Sequence, residues 1–146
     1  MFTFAVDYYL FVFIAGLGVI QIAVSLGPLR GLLIVRSPIA ARVLGLSLAV
    51  AAFLWFFTSD TRNINDYEGG LDANLQSLWF FLGAATATIV TLALSSLSNA
   101  RMNGGDPAPG EGLDALRNTN YVRALAHSLR YWWREWRTQT KSYFSG

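Results

Sequence analysis

Residues 78–97 read Leu-Trp-Phe-Phe-Leu-Gly-Ala-Ala-Thr-Ala-Thr-Ile-Val-Thr-Leu-Ala-Leu-Ser-Ser-Leu, twenty residues without a charge. A helix of that length rises 1.5 Å per residue and reaches about 30 Å, the thickness of a bilayer's hydrocarbon core. A soluble core helix has no need of such a run. Small residues recur within it at Gly83, Ala87, Thr91 and Ser95, one every fourth position. Residues four apart share a helix face, so this stripe lets another backbone approach closely. Ala84 and Thr88 widen it.

Two more runs of the same kind lie upstream. Tyr8 to Leu26 is nineteen residues with no charge, and Gly27-Pro28 ends it. A second span covers about Pro38 to Thr58, with Ser37 placed as N-cap and Pro38 at the first helical position. Gly45, Ala49 and Ala52 form a weaker small-residue stripe in it. Over the whole chain 53% of residues are hydrophobic and only 14% are charged. A soluble domain carries roughly a quarter charged residues, so the composition suits lipid as a solvent. The expected fold is an all-α integral membrane protein with spans at about 8–26, 38–58 and 78–97. Residues 1–98 would form the membrane domain.

Met1 to Asp7 contains no Lys or Arg, so the basic start of a cleaved signal peptide is missing. The first run is therefore read as a retained span. Aromatic residues mark one interface. Trp55, Phe56 and Phe57 close the second run, and Trp79, Phe80 and Phe81 open the third. That placement suggests an antiparallel hairpin of spans two and three, with the first span apart. The connection at Leu29–Arg42 carries three arginines and is too charged to span, which suits a short interfacial segment.

Basic residues give the orientation. Arg30, Arg36, Arg42, Arg101, Arg117, Arg123, Arg130, Arg134, Arg137 and Lys141 fall on one side, and Arg62 alone on the other. The positive-inside rule then puts the N-terminus outside and the C-terminus in the cytoplasm, for a multi-pass protein of the cell (inner) or plasma membrane. The outer loop carries Asp60, Asp66, Glu68 and Asp72 in a pattern unlike a calcium-binding loop, and is read as a solvated acidic loop.

Residues 99–112 form a Gly/Pro-rich linker, and 113–146 a basic tail. In the tail Val122, Leu125, Leu129, Trp132, Trp133 and Trp136 fall on one arc of a helix. Arg123, Arg130, Arg134, Arg137 and Lys141 fall on a broadly opposite arc. This pattern describes a cytoplasmic amphipathic helix lying on an anionic leaflet, with arginines at phosphates and indoles at the headgroup boundary. Docking on a partner protein is the alternative, and nucleic acid is not an expected partner.

The chemistry available is narrow. With no cysteine and a single histidine, His127, thiolate metal sites and paired-histidine ligation within the chain are excluded. Gln21 stands out as the strongly polar residue near a midplane, where an interhelical hydrogen bond is expected of it. Ionisable groups deep in a span would mark a pump or voltage sensor, and none is expected there. No phosphate-binding glycine loop, nucleophile elbow or zinc motif occurs. No catalytic residue, metal or cofactor is therefore assigned.

The layout of three spans, outer N-terminus and basic inner tail resembles that of one type of holin. That resemblance implies a self-associating pore former, although no residue motif carries it. The leading expectation is a non-catalytic accessory subunit of a larger membrane complex, with other membrane subunits and the bilayer as partners. A helper that contacts lipid or quinone beside a membrane enzyme is a third reading.

Overall fold

Each apolar run folds as one helix in the computed structural model, which describes residues 4–59, 73–101 and 112–144. The helices are α1 (Phe4–Leu26), α2 (Pro38–Thr58), α3 (Ala73–Ser98) and α4 (Tyr121–Phe144). Two 3-10 turns, Arg30–Leu32 and Gly112–Arg117, complete the described elements, and no strand occurs among them. The first three helices are long and apolar enough to cross a membrane. The acidic loop at 60–72, most of the linker at 102–111 and the Lys141 side chain lie outside the described residues.

Local chemistry explains the helix ends. Ser37 caps α2 by accepting from the Ala40 N–H at 3.4 Å, with Pro38 in the first turn. α1 starts four residues ahead of the apolar run, at Phe4. Asp7 thereby enters its first turn, where the helix dipole favours a carboxylate, and is buried. α3 likewise starts at Ala73 rather than Leu78, because the intervening Asn-Leu-Gln-Ser tolerates helix on an exposed surface. The tail is not one helix from residue 113. Asn118, Thr119 and Asn120 interrupt it, since their side chains favour caps and turns over helix interiors. Asn120 caps α4, its Oδ1 accepting from the Arg123 N–H at 2.9 Å.

The expected hairpin of spans two and three does not form. α1 lies in the middle, packed on both α2 and α3, while α2 and α3 scarcely touch among the described residues. The aromatic clusters meet α1 rather than each other. Phe11 stacks on Phe56 at 4.5 Å and meets Phe53 edge-on at 4.9 Å, whereas Tyr9 meets Trp79 at 6.1 Å. Gly18 and Gly45 bring α1 and α2 into backbone contact. A Cβ on Gly18 would stand 2.5 Å from the Gly45 carbonyl oxygen, closer than any side chain tolerates. On the other side Gly83 lies against Tyr9 and Val12, and Gly16 against Ala87. α1 and α3 therefore run parallel, and α1 and α2 antiparallel.

The residues of α1 that meet α2 (Tyr8, Phe11, Gly18, Ile22) and those that meet α3 (Tyr9, Val12, Gly16) are about 120° apart on the helical wheel. Three mutually touching helices would need about half that angle. The result is an open, bent row rather than a closed trio. In α1 only Val19, Ala23 and Leu26 are exposed, and all three fall in the sector between α2 and α3.

Candidate functional site

The polar groups of the three helices concentrate at the end that carries the arginine connection. Gln21 is fully buried and lies five residues from the end of α1, not near its middle. It bonds the connection instead of another helix. Its Oε1 accepts from the Ile34 N–H at 3.0 Å, and its Nε2 donates to the Leu32 carbonyl at 3.5 Å. Asn99, just past α3, grips the same segment from the other side. Its Nδ2 donates to the carbonyls of Leu33 at 2.8 Å and Gly31 at 3.3 Å. The Asn99 carbonyl in turn accepts from Asn120 Nδ2 at 3.4 Å, which ties in the start of α4.

Apolar packing reinforces this knot. Leu33 is buried with Val24 and Ala41, while Leu29 and Leu32 also cover Ala115, Leu116 and Ala124. Gly31 has no room for a side chain, since a Cβ would run into the carbonyls of Thr119 and Leu116. The connection is thus a folded wedge held by its neighbouring elements. Sequence reasoning missed Asn99, Asn120 and Gly31, which it had taken as parts of a linker, a tail and a connection.

Arginines fasten the periphery of the wedge. Arg42 donates through Nε to Ser25 Oγ at 3.2 Å and through Nη2 to the Ser25 carbonyl at 3.0 Å, pinning the start of α2 to the end of α1. Arg36 donates through Nη2 to the Ser98 carbonyl at 3.0 Å, at the C-terminal end of α3 where a cation is favoured.

The stripe of Gly83, Ala87, Thr91 and Ser95 is buried within the chain, and Gly83 and Ala87 lie on α1. Thr91 Oγ1 and Ser96 Oγ are buried without a hydrogen-bond partner among the described residues. The tail residues are placed differently. Only the start of α4 packs down, at Ala124 and the half-buried Tyr121. From Ser128 to Arg137 every side chain is exposed. Trp132, Trp133 and Trp136 are each at least 60% exposed. Arg130, Arg134 and Arg137 share this segment, and the Arg137 guanidinium lies 5.2 Å from the Trp133 ring centre. Arg123 sits in the first turn of α4.

These features define an all-helical chain with three helices of membrane-crossing length and a polar knot closing one end. No family model, curated protein or solved structure matches it.

Proposed function

We propose that the chain is a multi-pass protein of the inner membrane, N-terminus outside and C-terminus in the cytoplasm, that serves as a non-catalytic accessory subunit of a larger membrane assembly. The open row of helices carries this reading. α1 leaves Val19, Ala23 and Leu26 exposed at the bottom of a groove between α2 and α3. A helix of a partner seated there would complete a four-helix arrangement, the commonest closed solution for packed helices. The small-residue stripe is engaged inside the chain, so the groove is the face left for a partner.

The buried polar side chains support a structural role. The side-chain hydrogen bonds of Gln21, Asn99 and Asn120 described above all go to backbone. The exposed indoles and arginines of α4 support seating on an anionic cytoplasmic leaflet.

Solubilisation in mild detergent tests the assignment. Co-purification with a larger membrane polypeptide is expected, and Ala23→Phe should release that partner by filling the groove. Recovery only as a monomer would overturn the accessory role. Recovery as a homo-oligomer whose expression depolarises cells would favour the pore-forming reading instead.

A further inference from the structure

One charged cluster extends beyond the knot. Arg30, Arg36 and Arg101 line a cleft of about 200 Å³ with Asn99 at its base. The three arginines come from the 3-10 turn, from the approach to α2 and from the end of α3, so tertiary folding alone brings them together. All three are exposed, while Asn99 is 2% exposed. Arg36 is held in place by the Ser98 carbonyl. Arg30 and Arg101 donate no hydrogen bond to any described residue, and no described carboxylate faces the cleft. The Asn99 side-chain amide is occupied by Leu33 and Gly31, so it shapes the cleft and fixes the segment that carries Arg30.

Three guanidiniums around one cleft repel each other in the absence of an anion. They are kept together here because Asn99 holds the segment that bears Arg30 and the Ser98 carbonyl holds the Arg36 side chain, and this preorganises the site for an external negative group. Guanidinium forks bind carboxylate and phosphate oxygens bidentately, and a cluster of three suits phosphate, which offers more acceptor oxygens than a carboxylate. The position adds a second constraint. The cleft sits at the arginine end of α1–α3, the level at which headgroup phosphates would lie if these helices span a bilayer. Basic pockets between helices at that level hold anionic headgroups.

We propose that the cleft of Arg30, Arg36, Asn99 and Arg101 binds a phosphate group, supplied by an anionic lipid of the cytoplasmic leaflet. This goes beyond the general attraction of α4 to the leaflet and is a discrete site of about one lipid per chain. The lipid source rests on the membrane reading above, whereas the phosphate chemistry does not.

The test uses the full chain in nanodiscs of equal parts phosphatidylcholine and phosphatidylglycerol. Lipid retained after detergent extraction is counted by native mass spectrometry. Wild type should keep phosphatidylglycerol in preference to phosphatidylcholine. Arg30→Gln with Arg101→Gln should weaken that retention about tenfold, the value of one or two charge-assisted hydrogen bonds. These two side chains are exposed and make no contact that the fold needs, so the variant should melt like wild type. Arg117→Gln, which lies outside the cleft in an exposed pair with Asp114, should leave the retained lipid unchanged. Arg30→Lys with Arg101→Lys should fall between, because charge survives and the fork is lost.

Equal retention of both lipids by wild type, or equal retention by wild type and the Arg30/Arg101 glutamine variant, would overturn the site. Inorganic phosphate is the second arm. If it stabilises wild type but not that variant, and lipid does neither, the cleft takes free phosphate and the lipid source is wrong. Failure of the chain to enter nanodiscs at all would overturn the membrane reading and the lipid source with it, leaving the inorganic phosphate arm to decide the cleft.

Discussion

Gly18 and Gly45 set how closely α1 and α2 approach, each occupying the space a Cβ on the other would need. Gly45→Ala would place a Cβ 2.6 Å from the Gly18 carbonyl oxygen, so the helices must separate. A loss of about 1–3 kcal/mol is expected in a detergent-denaturation titration. Thr91→Val should do the opposite. The Thr91 hydroxyl is buried and unpartnered, so an isosteric apolar replacement should be neutral or up to about 1 kcal/mol stabilising. Asn99→Leu would orphan the carbonyls of Leu33 and Gly31 at once, and about 2 kcal/mol should be lost in the same titration. Residue identity announced some of this. Glycines in an apolar run point to close packing, and Gln21 stood out as a polar group that needed a partner. Its partner was not legible, because nothing local records which way the connection folds back over the end of α1.

Among the elements, α1–α3 were readable from length and lack of charge, and the Ser37-Pro38 start of α2 from capping chemistry alone. The neighbour relations were not. Aromatic clusters in α2 and α3 record a common depth, and depth does not say which helices touch. The informative signal was in α1, where Gly16 and Gly18 point to different faces and so ask for two partners. α4 shows the opposite balance. Its apolar and basic arcs follow from 3.6-residue periodicity, but its start at Tyr121 depended on Asn120 reaching Asn99 across the fold. Trp132, Trp133 and Trp136 changed together to alanine should abolish flotation of a fused α4 tail with anionic vesicles. The same change in the full chain should leave bundle denaturation little changed, because all three rings are largely exposed.

For the whole molecule, the proposed orientation makes a clean prediction, since the chain has no native cysteine. A cysteine at Ser59 should react with an impermeant maleimide on intact cells. One at Arg117 should react only after the cells are opened. The reverse pattern would invert the topology and move the arginine cleft to the outer leaflet. The asymmetry of the row matters at this scale too. At the C-terminal end of α1 one face is bonded into the knot, while the face toward the groove stays exposed at Val19, Ala23 and Leu26.

Asn99 also imposes an order in time. The carbonyls of Gly31 and Leu33 receive their side-chain donor from a residue 68 and 66 positions downstream. During synthesis the first two helices must emerge and pair through Gly18 and Gly45 while their connection has Gln21 but still lacks its Asn99 latch. Only when the ribosome has delivered the end of α3 does that segment lock, and only then can Asn120 fix the start of α4. A nascent chain arrested before residue 99 should therefore expose the 29–36 segment to protease, whereas one released after residue 124 should protect it. The last helix to be made closes the first turn of the chain.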